Sequence, residues 1–197
     1  MPRRKKKKEG KVLIFTAPSG SGKTTIVRHL LNKLDILGFS VSATTREKRP
    51  HEVDGKDYYF ISRDDFSKKI KEKAFIEWEE VYQDQYYGTL KSEVNRVWNE
   101  EKHIVFDIEV KGATNIKELY GDQALAVFIK VPTLQELVRR LKARKTETEA
   151  SLKKRIKRIK KELTFEQSFD VVLINDDLEK TLAKAEQIVL EFLEVQE

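Results

Sequence analysis

The chain is expected to form a three-layer α/β fold, with helices covering both faces of a five-stranded parallel sheet. Three observations predict it. Five short, almost wholly apolar runs recur at 12–15, 39–41, 104–106, 125–131 and 171–174. Strands covered on both faces read this way, because each side chain meets a helix rather than water. Stretches with the apolar period of a helix lie between these runs. The first run also passes straight into a glycine-rich loop and then a helix, so strand, loop and helix stand in immediate succession.

Taken in order, residues 12–15 give the first strand, 25–34 the helix after the loop, and 39–41 the second strand. The alternation then breaks. Between 43 and 88 the segments 58–61, 75–82 and 86–88 read as short strands and 64–73 as a helix. They predict a small mixed α/β subdomain inserted between the second and third core strands. The core resumes with a helix over 90–99, the strand 104–106 and a helix over 113–119. After the strand 125–131, Pro132 and Thr133 introduce a helix over 134–141, and a charged helix over 149–163 follows. The last strand leads into an amphipathic helix over 178–193, its apolar stripe made of Leu178, Leu182, Ala185, Ile188, Val189, Phe192 and Leu193. The expected division is a tail over 1–11, a core of 12–42 and 89–197, an insertion at about 43–88 and a lid at about 142–155.

The 197 residues suffice for one sizeable core with a small insertion. Cysteine is absent, which excludes disulfides and thiolate metal sites and fits the cytoplasm. No run of about 18 apolar residues exists, so no membrane-spanning helix is expected. The formal net charge of +6 is concentrated at the start of the chain. There Arg3, Arg4, Lys5, Lys6, Lys7, Lys8 and Lys11 stand against Glu9 alone, and residues 12–197 carry equal numbers of basic and acidic side chains. The basic character belongs to a solvated, disordered arm and not to the body. That arm lacks the apolar segment of an export signal. Its charge is compatible with contact to nucleic acid or acidic surfaces, while the body is expected to recognise no specific nucleic acid.

The loop carries the first chemical signal. Ala17-Pro18-Ser19-Gly20-Ser21-Gly22-Lys23-Thr24-Thr25 has the arrangement of a phosphate-cradling P-loop. Gly20, Ser21 and Gly22 let consecutive backbone N–H groups converge on one anion, which bulkier residues would obstruct. The helix beginning near Gly22 adds the positive end of its dipole and its unpaired N–H groups. Lys23 is placed to bridge the outer phosphates, and the Thr24 hydroxyl to ligate Mg²⁺. The strict pattern opens on glycine where this chain has Ala17, but the glycines nearest the phosphates are kept. Together these residues predict a nucleoside triphosphate site on a P-loop NTPase core.

A second signal follows in Ser42-Ala43-Thr44-Thr45-Arg46-Glu47-Lys48-Arg49-Pro50-His51-Glu52-Val53-Asp54-Gly55-Lys56-Asp57-Tyr58-Tyr59-Phe60. Taken with the P-loop, Phe75-Ile76-Glu77-Trp78, Tyr86-Tyr87-Gly88-Thr89 and Asn175-Asp176-Asp177, it closely resembles the guanylate kinase family from about residue 12 onwards. The resemblance implies transfer of the terminal phosphoryl group of ATP to GMP, and to dGMP, with Mg²⁺ accompanying the ATP. It implies that Arg46, Arg49, Tyr58 and Tyr87, with Glu52, hold the acceptor nucleotide. Two guanidinium forks suit a phosphate dianion, and phenol hydroxyls fill its remaining lone pairs. Base choice falls to Ser42, Glu77, Thr89 and the acidic pair Asp107 and Glu109. Guanine presents two adjacent donors, N1–H and the exocyclic amine, which one carboxylate such as Glu77 accepts together. Its O6 is an acceptor that the Ser42 or Thr89 hydroxyl meets. Adenine would leave Glu77 unpaired, and such a site rejects the wrong base strongly.

Asp107 follows the apolar strand 104–106, where ligands of open α/β sheets gather, and is expected beside the Mg²⁺ or the nucleotides. Many family members carry Asp where this chain has Glu109. Between Arg139 and Lys161 stand twelve basic residues and two acidic ones. Within that run Arg144 and Arg155 match the phosphate-directed arginines of the family's lid, and Lys145 stands where the family commonly has glycine. With Lys23 and Arg46 they are the expected catalytic residues, acting by positioning and electrostatics without a general base. Asn175 is expected to line the donor adenine pocket. A sugar-phosphate kinase on the same core would have no use for Glu77. A catalytically inactive phosphopeptide-binding module typically has a degraded P-loop, whereas Gly20, Gly22, Lys23 and Thr24 are intact here. The sequence fits a monomer and a homodimer equally.

Overall fold

Residues 9–143 and 149–194 are described by the computed structural model, and among them the elements run as follows. First come β1 (Val12–Thr16), α1 (Lys23–Lys33), β2 (Leu37–Phe39), β3 (Ala43–Thr44), β4 (Tyr59–Phe60) and α2 (Arg63–Lys71). Then follow β5 (Phe75–Tyr82), β6 (Gln85–Leu90), α3 (Lys91–Asn99), β7 (His103–Asp107) and α4 (Val110–Tyr120). The last are β8 (Ala124–Lys130), α5 (Leu134–Ala143), α6 (Glu149–Leu163), β9 (Val171–Ile174) and α7 (Leu178–Leu193). The chain divides into two units, one built on Ile36–Ile104 and the other on Val12–Asp35 and Val105–Glu197. Residues 1–8 of the basic arm and Arg144 with Lys145 lie outside the described residues.

The apolar runs become the five-stranded sheet, in the order β2-β7-β1-β8-β9. Strand β1 pairs in parallel with β8 from Val12 opposite Ala124 to Thr16 opposite Phe128, and β8 pairs in parallel with β9. Every residue of β1 is buried, the apolar run 12–15 and Thr16 after it alike. No helix among the described residues is long and apolar enough to cross a membrane. In the same unit α5 and α6 share a core of Val131, Leu137, Leu141 and Ile159, with Leu134, Leu152 and Leu163 packed on it.

One strand departs from expectation. The apolar run 39–41 predicts the second core strand, but β2 covers Leu37–Phe39 and the chain has left the ladder by Ser40. The reason is polar. The Val41 N–H donates to the Glu93 carboxylate at 3.0 Å, and the Phe39 carbonyl accepts from Arg96 Nη2 at 2.7 Å. The two-residue strand β3, which no periodicity could announce, begins directly after this segment.

Strands β4-β3-β6-β5 form a separate mixed sheet, with β3 parallel to β4 and antiparallel to β6, and β5 antiparallel to β6. Its underside packs on α2, where the Phe66 and Phe75 rings stack with centroids 4.4 Å apart and Ala43 completes a small core. Full burial of a ring such as Phe66 contributes about 1.5–3 kcal/mol. Helix α2 starts where Ser62 accepts from the Asp65 N–H at 3.0 Å, and α7 where Asp177 accepts from the Lys180 N–H at 3.1 Å.

Candidate active site

Helix α1 has no such cap. Its N-cap is Gly22, in the left-handed region at φ 93°, and the first turn contains neither a capping side chain nor an acidic residue. The N–H groups of this first turn point where an external anion would bind, at the positive end of the helix dipole. Only glycine fits at Gly22, because a Cβ there would come within 2.3 Å of Asn175 Nδ2. That amide donates to the Ser21 carbonyl at 2.8 Å, so Asn175, buried after β9, braces the loop. The turn is closed by the Ser21 N–H donating to the Pro18 carbonyl at 3.1 Å. Ala17 and Pro18 are buried beneath it, Ser19 is half-buried, and Thr24 and Thr25 are exposed.

The cationic end of Lys23 is held by two oxygens at the end of β7. Its Nζ pairs with Asp107 Oδ1 at 2.5 Å and donates to the Ile108 carbonyl at 3.0 Å. Thr24 Oγ1 lies 3.5 Å from Asp107 Oδ2. A hydroxyl and a carboxylate at this spacing are hard oxygen donors of the kind Mg²⁺ takes. No group of three or more His, Cys, Asp or Glu among the described residues would hold a metal by itself. Such an ion would take its other ligands from phosphate and water, as Mg²⁺ commonly does.

Two residues beyond Asp107, Glu109 Oε2 accepts from Arg158 Nη2 at 2.8 Å. Arg158 Nε also donates to Glu162 at 2.6 Å, one turn further along α6. Burial raises the Glu162 carboxyl above its ordinary range, against the pull of Arg158 and the nearby Lys23. Neither Arg158 nor Glu162 is among the residues that the sequence singles out. Their i, i+4 spacing is a sequence signal, but the tie to Glu109 is tertiary. Arg155, half-buried, stands on α6 one turn before Arg158.

The remaining predicted residues gather in the mixed-sheet unit. Ala43 pairs with Gly88 and Thr44 with Tyr87, while Thr89 pairs with Glu77. One step before Ala43, Ser42 therefore stands level with Thr89, and Ser42, Thr89 and Glu77 form a row across three strands. In the neighbouring row of Ala43, Gly88 and Trp78 the strands leave no room for a side chain at Gly88, where a Cβ would lie 2.9 Å from both Phe75 Cδ1 and Trp78 Cβ. Thr89 Oγ1 donates to Glu77 Oε1 at 2.8 Å. Burial pushes the Glu77 carboxyl up to about 7, opposed by the Thr89 hydrogen bond and reinforced by Glu79.

Beside this row Arg46 is fixed on every side. Its Nη1 and Nη2 donate to Glu52 at 2.7 and 2.5 Å, and its Nε to the Tyr87 hydroxyl at 3.1 Å. The guanidinium lies 4.9 Å from the centre of the Tyr58 ring and 5.3 Å from that of Phe60. The paired hydrogen bond to Arg46 holds the Glu52 carboxyl down at about 2 and raises Arg46 in turn. Arg49 donates its N–H to Glu52 at 2.8 Å, but its side chain is 60% exposed and its guanidinium stays 3.8 Å from that carboxylate. The Arg49 guanidinium is therefore more exposed than that of Arg46 and less tightly held by Glu52.

A parallel α/β sheet with an uncapped glycine-rich helix start, a lysine and a threonine at that start, and a carboxylate at the next strand end define a P-loop nucleotide kinase. The comparisons agree. The family model described as guanylate kinase matches residues 9–192, and the chain belongs to the guanylate kinase family. A guanylate kinase of Porphyromonas gingivalis is 44% identical over 184 residues, 93% of this chain and 98% of that protein. One of Bacteroides fragilis is 47% identical over 185 residues, 94% of this chain and 91% of that protein. Among solved structures, the guanylate kinase of Anaplasma phagocytophilum superposes with a TM-score of 0.76 at 28% identity, covering 94% of this chain and 87% of that one.

Proposed function

We propose that the protein is a cytoplasmic ATP:GMP phosphotransferase, giving ADP and GDP, with dGMP as a second acceptor. The observation that carries the choice of acceptor is the row of Ser42, Thr89 and Glu77 beside the Arg46 cluster. A carboxylate flanked by hydroxyls matches the donor–donor–acceptor edge of guanine, and an arginine with two tyrosines matches a phosphate a few ångströms away. In the reaction a GMP phosphate oxygen attacks the γ-phosphorus, the bond to the β–γ bridging oxygen breaks, and ADP leaves with that electron pair. The nucleophile is already an anion, so no side chain has to remove a proton. In this reading the α1 end and Lys23 hold the triphosphate, Arg46, Arg49, Tyr58 and Tyr87 hold the acceptor phosphate, and Arg144 and Arg155 act on the transferring group. Mg²⁺ held by the Thr24 hydroxyl, with Asp107 behind it, would neutralise charge on the triphosphate. A coupled ADP-release assay with ATP against GMP, dGMP, AMP, CMP and UMP tests the assignment. Turnover confined to the guanine nucleotides is expected; equal or better turnover with another base overturns it.

The raised Glu77 carboxyl gives a second test. Acceptance of both guanine donors requires the ionised form, whereas a carboxyl with a pKa of about 7 is largely protonated below that pH. GMP binding near pH 6 should therefore release close to one proton more in the parent than in Glu77→Gln, a difference that falls toward none by about pH 8, the GMP phosphate itself contributing equally to both. Calorimetry in buffers of different ionisation enthalpy measures the release. A buffer dependence equal in the parent and the variant at the lower pH would show that Glu77 does not face the base.

A further inference from the structure

Glu93, on the first turn of α3, is a buried carboxylate, only 3% exposed, that the proposed chemistry does not use. It accepts from four donors: the Val41 N–H at 3.0 Å, the Tyr59 hydroxyl at 2.9 Å, and Arg96 Nε and Nη2 at 3.2 and 2.9 Å. Arg96 also donates to the Phe39 carbonyl at 2.7 Å and to Glu100 at 2.9 Å. The Tyr59 N–H donates to the Ser42 carbonyl at 2.9 Å. The segment from Phe39 to Ser42 is therefore held by this network where the ladder of β2 has stopped. Burial works against the Glu93 charge, but Arg96, Val41 and Tyr59 outweigh it and keep the carboxyl below its ordinary value.

We propose that Glu93 is a positioning residue for the acceptor base, setting Ser42 in register with Thr89 and Glu77 through Val41 and Tyr59. The inference rests on the GMP reading above. Two arguments favour position over bulk stability. A buried ion pair is a weak source of stability, since an apolar substitute of similar shape often does as well. Its advantage is geometric: only a carboxylate accepts from a backbone N–H, a phenol and both arms of a guanidinium at once. Ser42 follows Val41 directly, so slack at Val41 is passed to the hydroxyl that would meet the base. Displacement by about 1 Å takes such a contact out of hydrogen-bond range.

Steady-state kinetics of Glu93→Gln and Tyr59→Phe in the full chain test this. Glutamine keeps one acceptor and turns a donor toward Val41, Tyr59 and Arg96, so the KM for GMP should rise about tenfold or more. Tyr59→Phe removes a single hydroxyl and keeps the fold, so a rise of roughly threefold is expected. In both, kcat and the KM for ATP should stay within about twofold of the parent. A lower melting temperature with an unchanged KM for GMP overturns the proposal, as does a parallel loss for ATP and GMP. Should Glu93→Gln fail to fold, an unchanged KM for GMP in Tyr59→Phe overturns it alone. Failure of the GMP reading is separate, because it would appear in the unsubstituted protein as absence of GMP turnover.

Discussion

Substituting Lys23 by Met is expected to lower kcat with ATP and GMP by about 10³-fold or more. The substitution removes the one side-chain charge at the uncapped start of α1. It also strips Asp107 of the partner that Lys23 Nζ provides at 2.5 Å, leaving an uncompensated carboxylate facing the triphosphate. Loss of attraction and gain of repulsion act in the same direction. Arg46, Arg49, Tyr58, Glu77 and Thr89 belong to the other unit, so GMP binding by calorimetry should stay near that of the parent. Methionine replaces the aliphatic stem of the lysine, so the far-ultraviolet spectrum should be unchanged. Turnover within tenfold of the parent would remove Lys23 from the mechanism.

Glu77→Gln is expected to separate recognition from stability. The amide keeps the acceptor for Thr89 but turns a donor toward the two donors of guanine. One hydrogen bond is lost and a donor–donor conflict is created. At roughly 2–5 kcal/mol, kcat/KM for GMP should fall by about 10² to several thousand-fold, with the KM for ATP unaffected. Stability should move the other way. Because the folded state binds the Glu77 proton more tightly than the unfolded chain does, the parent loses stability as pH rises from the ordinary glutamate range to about 7. Glutamine lacks that loss, so above neutral pH the variant should be the more stable protein, by up to about 3 kcal/mol. Thermal melts at about pH 5 and pH 8 check this. A stability difference that does not grow with pH would mean the Glu77 carboxyl titrates normally.

Features confined to a short stretch of chain were legible in the sequence. The P-loop needs only consecutive residues, and the apolar runs needed only their own composition to announce the parallel sheet. The Arg46 cluster was legible as motifs because Arg46, Glu52 and Tyr58 lie close together in the chain, and the β5–β6 hairpin brings Glu77 opposite Thr89. Contacts between distant segments were not. Glu93 sits on a helix whose pattern reads as amphipathic, and nothing local says that a strand end and a tyrosine would supply its donors. For the same reason the apolar run 39–41 misplaced β2: hydropathy records that Val41 is buried, not that its N–H goes to a side chain. The brace that the Asn175 amide gives the loop at the Ser21 carbonyl joins residues 154 apart and has no local signal. Arg158 was hidden among lysines that are solvated.

Three of the cations described above carry a tethered carboxylate: Lys23 has Asp107, Arg46 has Glu52 and Arg158 has Glu109. An arriving phosphate consequently displaces or joins an anion that the chain itself supplies, at an effective concentration of millimolar or above. Chloride, sulfate and inorganic phosphate, which offer a single weak contact, compete poorly under such terms. A nucleotide, whose base and sugar add to the hold of its phosphates, does not suffer the same handicap. On the proposed reading, built-in counterions of this kind act as a filter, keeping the phosphate sites from filling with the small anions of the cell.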